Sequence, residues 1–143
     1  MIKIINSSIE IFKKNIEKKD LFLFGAGKRT TYVCETYDIG QNVKMIIDNS
    51  KEKIGSSVIY NNMQIPIISV DHFVKYVKNR GIDNVIIMIT PAYYILPIIE
   101  QLDRIKELDN LECYIGRLLE DYYENQEIEF TKGQSKIPKK IHY

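Results

Sequence analysis

The sequence predicts an α/β fold in three layers, α/β/α, with a mostly parallel sheet of about five strands. Two observations carry this prediction. Short runs of apolar residues, typical of strands buried on both faces of a parallel sheet, recur along the chain. Segments with apolar residues at helical spacing separate these runs, and this alternation is typical of a parallel sheet with helices on both faces. The 143 residues suffice for one domain with its own core.

Five segments are predicted as strands: residues 21–24, 43–47, 65–68, 85–89 and 111–115. The run over 85–89, Val-Ile-Ile-Met-Ile, gives the strongest of these predictions. Residues 50–64 are polar, with Gly55 and Asn61-Asn62 as turn signals, so we expect a loop that contains a small hairpin there.

Amphipathic helices are predicted between the strands, over residues 7–19, from the first glycine-rich turn to Gly40, and over 69–79, 95–108 and 117–125. Ser7 and Glu10 have the spacing of a capping box for the first helix. Either Ser69 or Asp71 caps the third. Pro97 fits the first turn of a helix that begins near Ile95, and the alternative is a helix kinked at this proline.

Charge and composition exclude several classes of protein. The chain has 20 Lys and Arg and 19 Asp and Glu, so its net charge of +1 gives no reason to expect a nucleic-acid partner. No apolar run approaches the roughly 20 residues of a membrane span, and the N-terminus is too polar for a signal peptide. Cys34 and Cys113 lack metal-site spacing, which favours buried thiols over a disulfide or a metal site. We therefore expect a cytoplasmic protein.

The most informative segment is the turn Gly25-Ala26-Gly27-Lys28-Arg29-Thr30, between an apolar strand and a helix. Strand, glycine-rich turn, helix and strand within about 30 residues is the order of a Rossmann-like half. Gly25 permits the tight turn, Gly27 would let a phosphate approach the backbone, and Lys28 and Arg29 could contact it. Thr30 stands where a full G-x-G-x-x-G motif has its third glycine, which weakens the match.

Two further places complete the predicted ligand site. Asp48, followed by Asn49, ends the second strand about 20 residues on, where an acidic residue would hold a ribose. Thr90 and Pro91 follow the 85–89 strand, where ligand sites form in such sheets, and the adjoining tyrosines could stack on a ring. The alternative is that the glycines serve only the fold, since strand-to-helix turns favour glycine with or without a ligand.

The residues contain no recognisable catalytic or metal-binding arrangement. His72 and His142 have no base or metal ligand at a meaningful spacing, and no catalytic triad or carboxylate pair is visible. We therefore predict no catalytic residue and no metal ligand in this chain.

Residues 21–90 resemble the nucleotide-binding Rossmann-like modules of bacterial polysaccharide-synthesis enzymes, namely sugar-nucleotide dehydratases and the N-terminal halves of sugar acyltransferases. The resemblance consists of Gly25-Ala26-Gly27, Asp48-Asn49, Gly55 and the segment 65–69, Ile-Pro-Ile-Ile-Ser, in that order. It implies a nucleotide or nucleotide-sugar ligand, or NAD(P) as cofactor.

Residues 136–143, Lys-Ile-Pro-Lys-Lys-Ile-His-Tyr, resemble the opening of the catalytic domain in bacterial glycosyltransferases with an Asp-x-Asp sugar-nucleotide site, a family common in capsular polysaccharide synthesis. The resemblance implies that residues 1–125 form an accessory nucleotide-binding-type domain and that 126–143 link it to a catalytic domain further along the chain. Alternatives are an NAD(P)-binding domain of a sugar-nucleotide-modifying enzyme and a structural module that binds nothing or forms a homo-oligomer.

Overall fold

The computed structural model describes residues 1–119, which form one sheet with helices on both faces. The strands are β1 (Lys3–Ile5), β2 (Asp20–Phe24), β3 (Val43–Ile47), β4 (Ser57–Tyr60), β5 (Met63–Ile68), β6 (Val85–Ile89) and β7 (Glu112–Ile115). The helices are α1 (Ile9–Lys18), α2 (Lys28–Tyr37), α3 (Val70–Arg80) and α4 (Ile95–Asp103). Residues 116–119 are also helical.

The strand order is β1-β7-β6-β2-β3-β5-β4, and all neighbours are parallel except the antiparallel pair β4 and β5. This confirms the predicted three-layer, Rossmann-like α/β fold with a mostly parallel sheet. The chain runs from β2 outward through β3 to β5, and then crosses by α3 to β6 on the other side of β2. The strand order therefore reverses beside β2, where the carboxyl ends of β2 and β6 leave a crevice.

Alternating side chains of the central strands fill two separate cores. One face of β2, with Leu21 and Leu23, packs beneath α1 and α2. The opposite face, with Phe22 and Phe24, packs beneath α3 and α4. Because every residue of β2 and β6 is buried, both strands read as unbroken apolar runs after Asp20.

All five predicted strands are present, and two more lie at the sheet edges. β1 escaped prediction because it has only three residues, of which two are exposed. β4 is the outer strand of the predicted hairpin, whose turn residues Asn61 and Asn62 both have positive φ, 49° and 66°. The sheet thus has seven strands where about five were predicted.

Three helix boundaries differ from prediction, and one of them is the end of α2, which lies at Tyr37 instead of Gly40. The cap of α1 is Ser8, whose side chain accepts from the Ile11 amide, so the predicted Ser7 cap is one residue too early. α4 begins at Ile95 with Pro97 in its first turn, as predicted, but ends at Asp103 because Ile105 is extended. Of the predicted helix over 117–125 only its beginning lies within the described residues, and the predicted linker lies wholly outside them.

The first residue of β2, Asp20, ties this strand to the end of α3. Its Oδ2 accepts hydrogen bonds from the Tyr76 hydroxyl (2.5 Å) and from the Arg80 guanidinium (2.9 Å). Burial by itself would raise the pKa of this carboxyl. The two hydrogen bonds and the positive charges of Arg80 and Lys44 outweigh burial, so the pKa lies below its ordinary value.

Asp20→Asn is expected to lower the free energy of unfolding by about 1–2 kcal/mol at neutral pH. The asparagine side chain would accept the hydrogen bonds from Tyr76 and Arg80 more weakly than the charged carboxylate does. Because Arg80 is half-exposed, solvent screens its ion pair with Asp20, which limits the loss of stability. A lowered folded-state pKa gives stability that is present above the unfolded pKa and is lost as the pH falls through the folded one. Urea unfolding at about pH 7 and about pH 2.5 should therefore show a smaller difference between wild type and variant in acid. A difference independent of pH would contradict this assignment.

Both cysteines are buried, as predicted, and neither forms a disulfide. Burial raises the pKa of the Cys34 thiol to about 11 and that of the Cys113 thiol to about 12. Thiols with such high pKa values remain protonated at neutral pH and act as core residues rather than nucleophiles.

Candidate functional site

The glycine-rich turn leaves β2 in a conformation that only glycine adopts easily. Gly25 has φ +111°, and its amide donates to the Ile47 carbonyl at the end of β3 (2.7 Å). A Cβ at this position would lie 2.8 Å from Pro91 Cγ and 3.0 Å from Thr90 Oγ1. The segment after β6 thus packs directly onto the turn after β2, which explains why glycine is needed here.

Thr30 closes the turn with its side chain. The buried hydroxyl donates to the Gly25 carbonyl (2.6 Å) and accepts from the Gly27 amide (3.2 Å). Thr30 departs from the glycine pattern of the full motif. In the structure the hydroxyl fixes both glycines of the turn, which a glycine at this position could not do.

Asp48 braces the turn from the end of β3. Its Oδ2 accepts from the Ala26 amide (2.8 Å) and its Oδ1 accepts from the Ser50 amide (2.8 Å). The Ala26 carbonyl accepts from Lys53 Nζ (2.9 Å). Asp48 therefore has a structural task beside the ribose contact predicted for it, and Lys53 is a neighbour of the turn that sequence reasoning missed.

A cavity of about 340 Å³ lies beside the carboxyl ends of β2 and β6. Its lining comes from two segments, the start of α2 and the chain after β6: Gly27, Lys28, Arg29, Thr90, Pro91, Ala92, Tyr93 and Tyr94. Five of the nine predicted site residues therefore meet around one space. The other four, Gly25, Thr30, Asp48 and Asn49, are not among the lining residues, and the first three belong to or contact the glycine-rich turn instead.

Gly27 and Lys28 present a helix N-terminus to this cavity. Gly27 caps α2 in an extended conformation, and a Cβ on it would meet no atom within 4 Å. The space beside Gly27 is thus open rather than occupied by protein. The first amides of a helix have no acceptor within the helix and carry a partial positive charge, which the side chains of Lys28 and Arg29 increase.

Arg29 links the two walls of the cavity. Its Nε lies 3.5 Å from the Thr90 carbonyl, and its guanidinium lies over the Tyr32 ring, 4.8 Å from the centroid. Thr90 is buried, and its Oγ1 donates to the Phe24 carbonyl (3.0 Å). Thr90 therefore joins the ends of β2 and β6, and it lines the cavity although it is almost fully buried.

The outer wall carries two exposed aromatic rings. Tyr93 and Tyr94 are 73% and 79% exposed, and Tyr94 has a left-handed backbone (φ +63°) at the start of α4. A tyrosine held in this conformation is strained, which is a feature often found at binding sites. Arg117 Nη1 donates to the Ala92 carbonyl (3.3 Å) and steadies this segment, a contact for which the sequence contains no signal.

Asn49 belongs to a different contact. Its amide pairs reciprocally with that of Gln101 on α4, at 2.9 and 3.0 Å. The predicted ligand role of Asn49 thus competes with a link between the end of β3 and the helix layer.

A second, polar cavity of about 500 Å³ lies at the amino end of the sheet. Its charged residues include Lys18, Lys19, Asp20, Lys44 and Arg80. α1 and α3 end here, so Lys18 and Arg80, which lie in the last turns of these helices, are close to their negative ends. The amino and carboxyl ends of the strands therefore differ in electrostatics. At the carboxyl ends, the positive N-terminus of α2 favours anions.

Within residues 1–119 no cluster of three or more His, Cys, Asp or Glu is arranged to hold a metal ion. Over the same residues no helix has the length and apolar character that a bilayer span requires.

No family model and no curated protein matches the chain. Among solved structures, the chain is similar to one described as the crystal structure of RSP, a Rex-family repressor. The TM-score is 0.45 at 15% sequence identity, and the likeness covers 87% of this chain and 69% of that one. The fold described above rests on this chain's own strand order and connections.

Proposed function

We propose that this chain is an accessory domain of a bacterial glycosyltransferase in polysaccharide synthesis, and that it binds a nucleotide or nucleotide-sugar at the carboxyl end of its sheet, in the cytoplasm. One observation carries the binding proposal: the glycine-rich turn after β2 and the segment after β6 meet around one cavity at the switch point of the strand order. Ligands of open α/β sheets bind at such points.

A phosphate fits the side of the cavity formed by Gly27 and Lys28. The open space beside Gly27 lets an anion reach the backbone at the start of α2. The Lys28 amide, the partial positive charge of the helix end and the Lys28 ammonium would all act on the same phosphate.

A planar ring fits the opposite side. Tyr93 and Tyr94 present rings that the protein leaves largely exposed, and Pro91 and Ala92 add apolar surface. Offset stacking on an aromatic ring contributes about 0.5–1.5 kcal/mol beyond the area buried. A nucleotide carries both a phosphate and a planar ring, so one nucleotide could occupy both sides of the cavity.

The glycosyltransferase part of the proposal rests on the resemblance of residues 136–143, which lie outside the described residues. It expects the coding sequence after Tyr143 to continue into a domain with an Asp-x-Asp motif. A stop codon directly after Tyr143 in the natural gene would contradict it.

Calorimetric titration with UDP tests the binding proposal. Gly27→Ala is expected to weaken UDP binding about tenfold by placing a methyl group where the phosphate sits, while the free energy of unfolding changes by about 1 kcal/mol or less. Lys28→Ala should also cost about tenfold, because it removes one charged contact. Lys78→Ala removes an exposed lysine from the last turn of α3 and serves as the matched control.

The second candidate is a structural module whose glycines serve only the fold. Two observations favour this role. Pro91 packs where a side chain at Gly25 would lie, and both carboxylate oxygens of Asp48 accept hydrogen bonds from backbone amides. This role expects no saturable binding of UDP, UDP-glucose, NAD or coenzyme A at millimolar concentration. It is rejected if UDP binds saturably and Gly27→Ala weakens that binding about tenfold while the free energy of unfolding changes by no more than about 1 kcal/mol.

A further inference from the structure

We infer that the site takes a phosphate carrying a single nucleoside, such as a nucleoside mono- or diphosphate, and not a dinucleotide; this inference rests on the proposed function. A dinucleotide on a Rossmann-like sheet extends to both sides of the glycine-rich turn, with one ribose at the acidic residue that ends the second strand. Here the side of the turn toward β3 is engaged by the protein itself.

Side chains bind both backbone polar groups of Ala26. Its amide donates to Asp48 Oδ2 (2.8 Å), and its carbonyl accepts from Lys53 Nζ (2.9 Å). The other Asp48 oxygen accepts from Ser50. A ribose hydroxyl approaching Asp48 would therefore compete with protein donors that already occupy the carboxylate, and would meet the Lys53 side chain beside it.

Lys53 is directed at the turn by a rigid local backbone. The Lys53 amide donates to the Ser50 carbonyl (3.1 Å), and the Lys53 carbonyl accepts from both the amide and the hydroxyl of Ser56 (3.0 and 2.6 Å). The Gly55 amide donates to Ile67 on β5 (3.0 Å), which anchors this segment to the sheet. The anchored turn thus places Lys53 within reach of the Ala26 carbonyl.

The cavity of about 340 Å³ lies on the other side of the turn. None of the eight residues lining the cavity comes from β3 or the segment after it. The volume of about 340 Å³ is at the lower end of the roughly 300–1,000 Å³ typical of ligand pockets. The geometry therefore offers one phosphate subsite and one ring subsite, on the side toward β6.

The test is calorimetric titration of the full 143-residue chain with AMP, nicotinamide mononucleotide, UDP and NAD at one ionic strength. We expect NAD to bind no more than about threefold tighter than the better of its two mononucleotide halves. Lys53→Ala should raise the affinity for NAD about fivefold and leave that for the mononucleotides unchanged, because it opens the side toward β3. Lys51→Ala, an exposed lysine of the same turn, should change neither.

NAD binding at least about a hundredfold tighter than either half would overturn the inference and leave the proposed function standing. Unchanged NAD affinity in Lys53→Ala would also overturn it, since Lys53 would then not restrict the site. If none of the four compounds binds at millimolar concentration, the proposed function fails, and this inference fails with it.

Discussion

Gly25→Ala is expected to lower the free energy of unfolding by about 3 kcal/mol or more. The variant places a side chain at φ +111° and brings its Cβ within 3 Å of the Pro91 ring. Backbone strain of this kind costs about 1–3 kcal/mol, and overpacking adds a similar amount. Urea denaturation followed by circular dichroism measures the loss. Because Pro91 lines the cavity, any folded variant should also bind UDP more weakly.

Gly27→Ala is the matched control, since it adds the same methyl group two residues away, where no atom lies within 4 Å. The two variants should differ by at least about 2 kcal/mol in stability. Equal stabilities would show that Pro91 yields to a side chain at Gly25, and that the two segments are not packed as described.

Gly40→Ala is expected to destabilise the protein by a comparable amount, about 3 kcal/mol, for a steric reason alone. An added Cβ would lie 2.1 Å from Cε2 and 2.3 Å from Cδ2 of the buried Tyr60 ring. The ring cannot withdraw easily, because it packs in the core beneath α2 and its hydroxyl donates to the Cys34 carbonyl (3.3 Å). Thermal and urea unfolding both measure the loss.

A double-mutant cycle isolates this contact. Combining Gly40→Ala with Tyr60→Leu should cost less than the sum of the two single variants, because the smaller side chain relieves the clash. Tyr60→Phe should cost only about 1 kcal/mol, the loss of one hydrogen bond. Strict additivity of Gly40→Ala and Tyr60→Leu would argue against a direct clash.

Most of the sheet could be predicted because its central strands are buried on both faces. β2 and β6 are continuous apolar runs, and the helices between the strands carry apolar residues at helical spacing. β1 could not be predicted, since the three residues Lys-Ile-Ile are too few for a periodic signal. Its pairing with β7 depends on a contact between residues about 110 positions apart.

The candidate site was predictable where it depends on backbone position, and less so where it depends on side-chain contacts. The glycine pattern and the end of β6 located Gly27, Lys28 and Pro91, because the carboxyl ends of parallel strands share one edge. The roles of Asp48 and Thr30 depend on which amide each side chain reaches in three dimensions. Lys53 and Arg117 act through backbone carbonyls, which leave no pattern in the sequence.

The central claim is that a nucleotide binds between the turn after β2 and the segment after β6. Titration of ¹⁵N-labelled protein with UDP, followed by two-dimensional amide NMR, tests it most directly. We expect saturable shifts concentrated in the amides of residues 27–29 and 92–94, and saturation at about tenfold higher UDP concentration in Gly27→Ala. Shifts confined to the amino edge of the sheet around residues 18–20 and 42–44, or no shift at millimolar UDP, UDP-glucose and AMP, would contradict the claim.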